Sequence, residues 1–273
     1  MNQKNFFMLA IGFMLLVVNT LSAQEESHWS AGADMASRYI WRGLNAGGSS
    51  PSIQPAIEYT FGSEKHAFSV GTWGAFSTSG TQTMQEVDLY ISYTLNETFS
   101  FILTDYFLPN ETIGRNDYFN YNNDWAKINS EEKAQTGHVL EAALQFDGTE
   151  KFPVRVLFAM NIWGADARKY NEVGGVMIAE DKIVMSKYVE LGYSTTLKDM
   201  NLEIFTGIAL DNPDTKKGEP TGYYRQESAG IINLGLTLSK EIQITDRFSL
   251  PVFTSLILNP EAENIFMVFG ISL

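Results

Sequence analysis

The sequence predicts an all-β protein, a transmembrane antiparallel up-and-down β-barrel of about 12 strands. Three observations carry this expectation. Apolar residues alternate with small or polar ones along many short segments; the connections alternate between short and long; and charges keep almost entirely to one register of the alternation. Composition agrees: the 273 residues are 44% hydrophobic and 19% charged, with 18 Phe, 12 Tyr, 5 Trp, 22 Gly and no cysteine. Disorder, a disulfide scaffold and thiolate metal sites are thereby excluded. With 32 acidic against 19 basic residues the chain lacks the basic surface that phosphate backbones need, so no nucleic-acid partner is expected.

The first element is a targeting segment. Lys4 precedes an uncharged apolar run over residues 6–18, and Ala23 is a small residue at the expected cut before Gln24. This pattern is that of a secretory signal peptide over residues 1–23, leaving a barrel domain over residues 24–273. The run is shorter than the roughly 20 residues of a spanning helix, which disfavours the alternative of a retained anchor. The expected location is the bacterial outer membrane, with the lipid bilayer and the barrel-assembly machinery as partners.

Alternation then marks the strands in order, near residues 29–42, 51–61, 66–77, 83–95, 98–107, 136–146, 152–163, 186–197, 200–211, 229–240, 247–258 and 263–273. In the ninth, Leu202, Ile204, Thr206, Ile208 and Leu210 oppose Glu203, Phe205, Gly207 and Ala209. In the tenth, Ile232, Leu234 and Leu236 oppose Ile231, Asn233 and Gly235. Each segment is about ten residues, the length of a tilted strand crossing a bilayer. Links after even-numbered strands are short, whereas residues 108–135, 164–185 and 212–228 form long links after odd-numbered ones. Outer-membrane barrels sort their turns and loops to opposite ends in this way. A β-sandwich also alternates, but it exposes a charged face, and here the second face is mostly Gly, Ala, Ser and Thr.

With the apolar face turned to lipid, the lumen is lined by Asp34, Arg38 and Arg42 on the first strand, Glu58, Asp88, Glu141, Arg155, Glu190 and Glu203. The bias is physical, because Arg or Lys facing mid-bilayer lipid costs roughly 2–4 kcal/mol. Tyr39, Trp41, Trp73 and Trp163 near one set of strand ends, and Tyr59, Tyr93 and Tyr193 near the other, are expected to form two aromatic girdles.

The run Ser37-Arg38-Tyr39-Ile40-Trp41-Arg42-Gly43-Leu44, followed by Pro51-Ser52-Ile53-Gln54-Pro55, resembles the opening of the TorF-type porins, an uncharacterised group of bacterial outer-membrane proteins. The resemblance covers the first two strands and implies a porin-like barrel; the solute of that group is not established.

The expected function is passive diffusion of small polar or cationic solutes through a narrow charged lumen. The alternative is a lumen plugged by pairing of its own charges, with the long loops serving adhesion. A lipid hydrolase is a third reading, because His138 and Asp105 share the outward register on adjacent strands, as a base and its orienting carboxylate would. No serine nucleophile accompanies them, so no enzyme is expected. Asp211-Asn212-Pro213-Asp214 and Asn122-Asn123-Asp124 have calcium-type oxygens, but these residues are ordinary turn formers. Neither metal nor cofactor is expected.

Overall fold

The structure is a computed structural model and describes residues 28–79, 85–110, 115–129 and 134–273. The expected signal peptide lies outside the described residues. In chain order the elements are β1 (His28–Ala36), β2 (Ile40–Trp41), β3 (Leu44–Asn45), β4 (Ser52–Ser63), β5 (His66–Ser77), β6 (Gln85–Leu95) and β7 (Phe99–Phe107). After a single helical turn, α1 (Trp125–Asn129), come β8 (His138–Phe146), β9 (Val154–Gly164), β10 (Arg168–Val173), β11 (Val176–Ile183) and β12 (Lys187–Leu197). The chain ends with β13 (Met200–Ala209), β14 (Gly230–Thr245), β15 (Phe248–Asn259) and β16 (Asn264–Ser272).

Twelve of these strands close into one antiparallel barrel in the order β1, β16, β15, β14, β13, β12, β9, β8, β7, β6, β5, β4. Two small hairpins stand apart from it, β2–β3 and β10–β11. Each barrel strand overlaps one of the alternating segments. The turns at residues 64–65, 96–98, 147–153, 198–199 and 246–247 share one end of the barrel, the turn end. Residues 37–51, 108–110, 115–129, 134–137, 165–186 and 210–229 stand at the other, the loop end.

The outward register is apolar and bare. Ile57, Val70, Leu89, Leu144, Ile204, Leu256 and Met267 are all exposed, so the wall presents a continuous belt of hydrocarbon. At the turn end this belt is edged with rings: Trp29 packs on Tyr59 at 4.8 Å, Phe61 on Phe68 at 5.6 Å, Phe68 on Tyr93 at 4.8 Å and Phe99 on Phe146 at 5.0 Å. Tyr193 is exposed on the same outward register.

The inward register is where small residues admit large ones. The Tyr188 ring lies over Gly207, and Phe205 lies over Gly235. Toward the turn end hydroxyls pair across strands, Thr60 with Ser69 at 2.6 Å, Thr94 with Ser100 at 2.9 Å and Thr237 with Ser255 at 2.8 Å.

Two details depart from the sequence reading. The first strand ends at Ala36 and not near residue 42, because the chain leaves the wall there to form β2–β3. In β14 the ladder with β13 slips between Gly207 and Ile208, so that Asn233 and Ile231 are successive partners. The bulge turns Ile232 from the outward face, where simple alternation puts it, to a fully buried position. The β14–β15 pair is also taller than its neighbours: residues 240–245 and 248–252 pair with each other beyond the last rung shared with β13, rooted by a 2.6 Å ion pair from Lys240 to Asp199.

Candidate functional site

The loop end of the lumen is crossed by chain. The turn of the β2–β3 hairpin is Arg42-Gly43, and both residues have positive φ, 49° and 75°. Two successive positive φ values are the mark of a type I′ turn, which suits Gly at no cost and strains Arg. Contacts of the Arg42 side chain hold that strain in place. Its guanidinium donates twice to Glu141, Nη1 to Oε2 at 2.6 Å and Nη2 to Oε1 at 2.9 Å, and Nη1 also donates to the Tyr224 hydroxyl at 3.0 Å. The Tyr106 hydroxyl donates to the same carboxylate at 3.1 Å.

Rings enclose this pair. The guanidinium carbon lies 4.6 Å from the Trp41 ring centre and 4.5 Å from that of Tyr188. Trp41 in turn packs on Tyr106 at 5.6 Å and Tyr224 at 5.8 Å. The side chains of Arg42 and Glu141 keep only 9% and 3% of their exposure, so the charge pair is essentially dry. Burial pulls the Arg42 pKa down, but Glu141, Tyr224 and Tyr106 outweigh it and hold the guanidinium above its ordinary range. Burial raises Tyr223 and Tyr224 above the usual phenol value, so both stay neutral.

Below this closure a second network continues toward the turn end. Tyr188 donates its hydroxyl proton to Glu190 Oε2 at 2.5 Å, and Asn233 Nδ2 donates to both at 3.1 Å. Arg155 then bridges Glu190 at 3.0 Å and Glu203 at 2.9 Å.

All nine charged residues expected at the lumen face it, but not all from the expected place. Asp34 sits on β1 opposite Gln54, and Glu58 accepts from Tyr90 at 3.0 Å. Asp88 is 6% exposed and its Oδ1 has no hydrogen-bond partner among the described residues. Arg38 and Arg42 belong to the inward-turned segment and not to the first strand: Arg38 lies 5.9 Å over the Phe266 ring. Three girdle assignments are corrected, two for the same reason and one by its register on the wall. Tyr39 and Trp41 ride into the lumen on that segment, and Trp73 lies on the inward face of β5, where Tyr39 packs on it at 5.2 Å.

Trp163 does face outward at the loop end, because it pairs with Leu140 across the β8–β9 bulge, and it meets Tyr121 at 6.2 Å. Tyr106, Tyr188, Tyr223, Tyr224 and Asn233 are the site residues that sequence reasoning missed. The available signal was Trp41-Arg42-Gly43 itself, whose last two residues read as a turn.

The outward Asp105–His138 pair forms, with both carboxylate oxygens 2.9 Å from Nδ1. The other ring nitrogen, Nε2, donates to the Tyr118 carbonyl at 2.7 Å. A carbonyl only accepts, so Nε2 carries a proton and has no lone pair for a nucleophile. Phe107, Tyr118 and Tyr121 surround the ring, which is fully buried. Here the loop segment around Tyr118 and Tyr121 packs on the outer wall, and the pair works as its anchor. The loop oxygens considered for calcium are spent locally: Asp211 takes the Lys187 amide and ammonium, and Asn122 Oδ1 takes the Asp124 amide.

Residues 22–149 match the model of a bacterial family of unknown function, Gcw_chp. No curated protein matches the sequence. Among solved structures the chain is similar to Wzi, an outer membrane protein involved in group 1 capsule assembly in Escherichia coli and a carbohydrate-binding β-barrel, at 11% identity and a TM-score of 0.29. That likeness covers 90% of this chain and 56% of Wzi, so the chain spans little more than half of that protein's length. It is also similar to the β domain of the Bordetella autotransporter BrkA, at 8% identity and a TM-score of 0.31, covering 92% of this chain and 98% of that domain.

Proposed function

We propose that this chain is an outer-membrane channel for small polar solutes that rests closed, its lumen occluded by its own β2–β3 hairpin and by Tyr223 and Tyr224. The membrane reading is supported by the bare apolar wall, the ring-edged turn end and strands of bilayer length. The observation that carries the closed state is the dry, bidentate Arg42–Glu141 pair, which ties a strained turn across the lumen. A barrel needing only a permanent core would fill that space with hydrocarbon, because a buried ion pair is a weak source of stability. A charged tether suits a segment that lets go, since both partners regain water on release.

The test is a planar-bilayer recording of the purified protein and of Arg42→Ala. The parent is expected to be silent or to open rarely, and the variant to carry frequent openings. Steady open currents in the parent would overturn the closed state. A folded Arg42→Ala barrel that stays silent would overturn the channel and favour a permanently plugged barrel.

A further inference from the structure

Arg42 fills a receptor that the rest of the molecule builds. Of the groups around its guanidinium, Glu141 stands on β8, Tyr106 on β7, Tyr188 on β12 and Tyr224 in the loop-end segment; only Trp41 travels with Arg42 on the hairpin. The receptor therefore belongs to the wall and its loop, and the occupant to a separate segment that crosses the lumen. Glu141, Tyr188 and Tyr224 are all more than nine-tenths buried, so these groups are set into the molecule and not scattered over a surface.

The geometry selects a guanidinium among cations. The two Glu141 oxygens accept from two different nitrogens, at 2.6 Å and 2.9 Å, the paired bonds that a planar fork makes and an ammonium does not. A third bond reaches the Tyr224 hydroxyl at 3.0 Å. Rings meet the rest of the cation, with the guanidinium carbon 4.5 Å from the Tyr188 ring centre and 5.8 Å from that of Tyr224. Tyr188 spends its hydroxyl on Glu190, so what it offers the cation is its ring face.

The charge of the wall points the same way. Among the nine charged lumen residues the wall supplies the carboxyl groups of Asp34, Glu58, Asp88, Glu141, Glu190 and Glu203 against the single cation Arg155. Arg38 and Arg42, the other two cations, arrive on the inward segment. Once that segment is displaced, the lumen is an acidic passage with its receptor empty, and such a passage concentrates cations.

We infer that the Arg42 side chain is an internal ligand in a binding site for small guanidinium solutes. The inference deepens the channel reading by naming its solute class, and in that respect rests on it. A guanidinium solute makes to Glu141 and the rings the same bonds that Arg42 makes, so solute and tether compete for one carboxylate.

The test is calorimetric titration of the full-length protein in detergent micelles with methylguanidinium, and with urea as its neutral planar counterpart. The parent, Arg42→Ala and Arg42→Ala combined with Glu141→Gln are compared. Arg42→Gly empties the same space and relieves the turn at its φ of 49°, so it serves should Arg42→Ala not fold. Methylguanidinium is expected to give a saturable heat in the single variant and none in the parent, where Arg42 holds the site. Affinity is expected to fall about tenfold when Glu141 also becomes Gln, and urea to give no saturable heat. No saturation in a folded single variant, equal binding by the parent, equal binding of urea, or an affinity indifferent to Glu141 would overturn the inference. The channel reading fails separately: methylguanidinium that binds while the Arg42→Ala barrel carries no current leaves the site standing and removes the channel. Current without such binding removes the site and leaves the channel.

Discussion

Asn259, at the end of β15, donates from Nδ2 to the carbonyl of Gly43 at 3.2 Å, fastening the tip of the inward hairpin to the barrel wall. Gly43 approaches so closely that a Cβ there would collide with the Ile232 carbonyl, and its φ of 75° lies in the left-handed region. The tip is therefore held from two sides, by Arg42 on β8 and by Asn259 on β15.

Gly43→Ala is expected to dislodge the hairpin without unfolding the barrel, since both the collision and a strain of about 1–3 kcal/mol fall on the tip alone. Limited trypsin digestion checks this, with faster cleavage after Arg38 and Arg42 in the variant and an unchanged barrel core. Equal protection in the two proteins would show that the tip tolerates a side chain.

Glu141→Gln keeps the shape of the acceptor and removes its charge, leaving the Arg42 guanidinium buried and unneutralised. Breaking one partner of a buried pair costs about 3–5 kcal/mol. Denaturant unfolding in lipid vesicles is expected to register a loss of that order. Arg42→Met combined with Glu141→Gln is expected to recover much of it, because no buried charge remains.

Single-tryptophan variants in vesicles of brominated lipid test the placement of rings. Trp29 is 72% exposed on the outer wall, whereas Trp41 and Trp73 lie inside. Strong quenching of Trp29 with little quenching of the other two is expected. Equal quenching of all three would place the inward segment outside the lumen.

The barrel was legible because period-2 patterning is imposed on every wall residue: one face meets hydrocarbon, the other the lumen, and each strand repeats the demand. The inward charges of the wall strands followed from the same rule; Arg38 and Arg42, which lie off the wall, did not. Alternation also ran on past Ala36 through Tyr39 and Trp41, and nothing in the period tells a wall strand from a hairpin that has left the wall. A bulge is equally silent, since the slip opposite Gly207 that buries Ile232 involves one residue in a run of good strand formers. The closure itself joins Arg42 to Glu141 and Tyr224, residues far apart in sequence whose meeting depends on barrel closure.

The tall β14–β15 ribbon has a practical consequence for orientation. A two-stranded ribbon alone is marginal in water, so this one owes its order to the cylinder at its root, from which it extends past the turn end. An epitope inserted between Asp246 and Arg247 would ride at its tip, clear of the wall and opposite every loop. Antibody access to that flag in sealed cells and in ruptured ones then reads directly which way the cylinder faces.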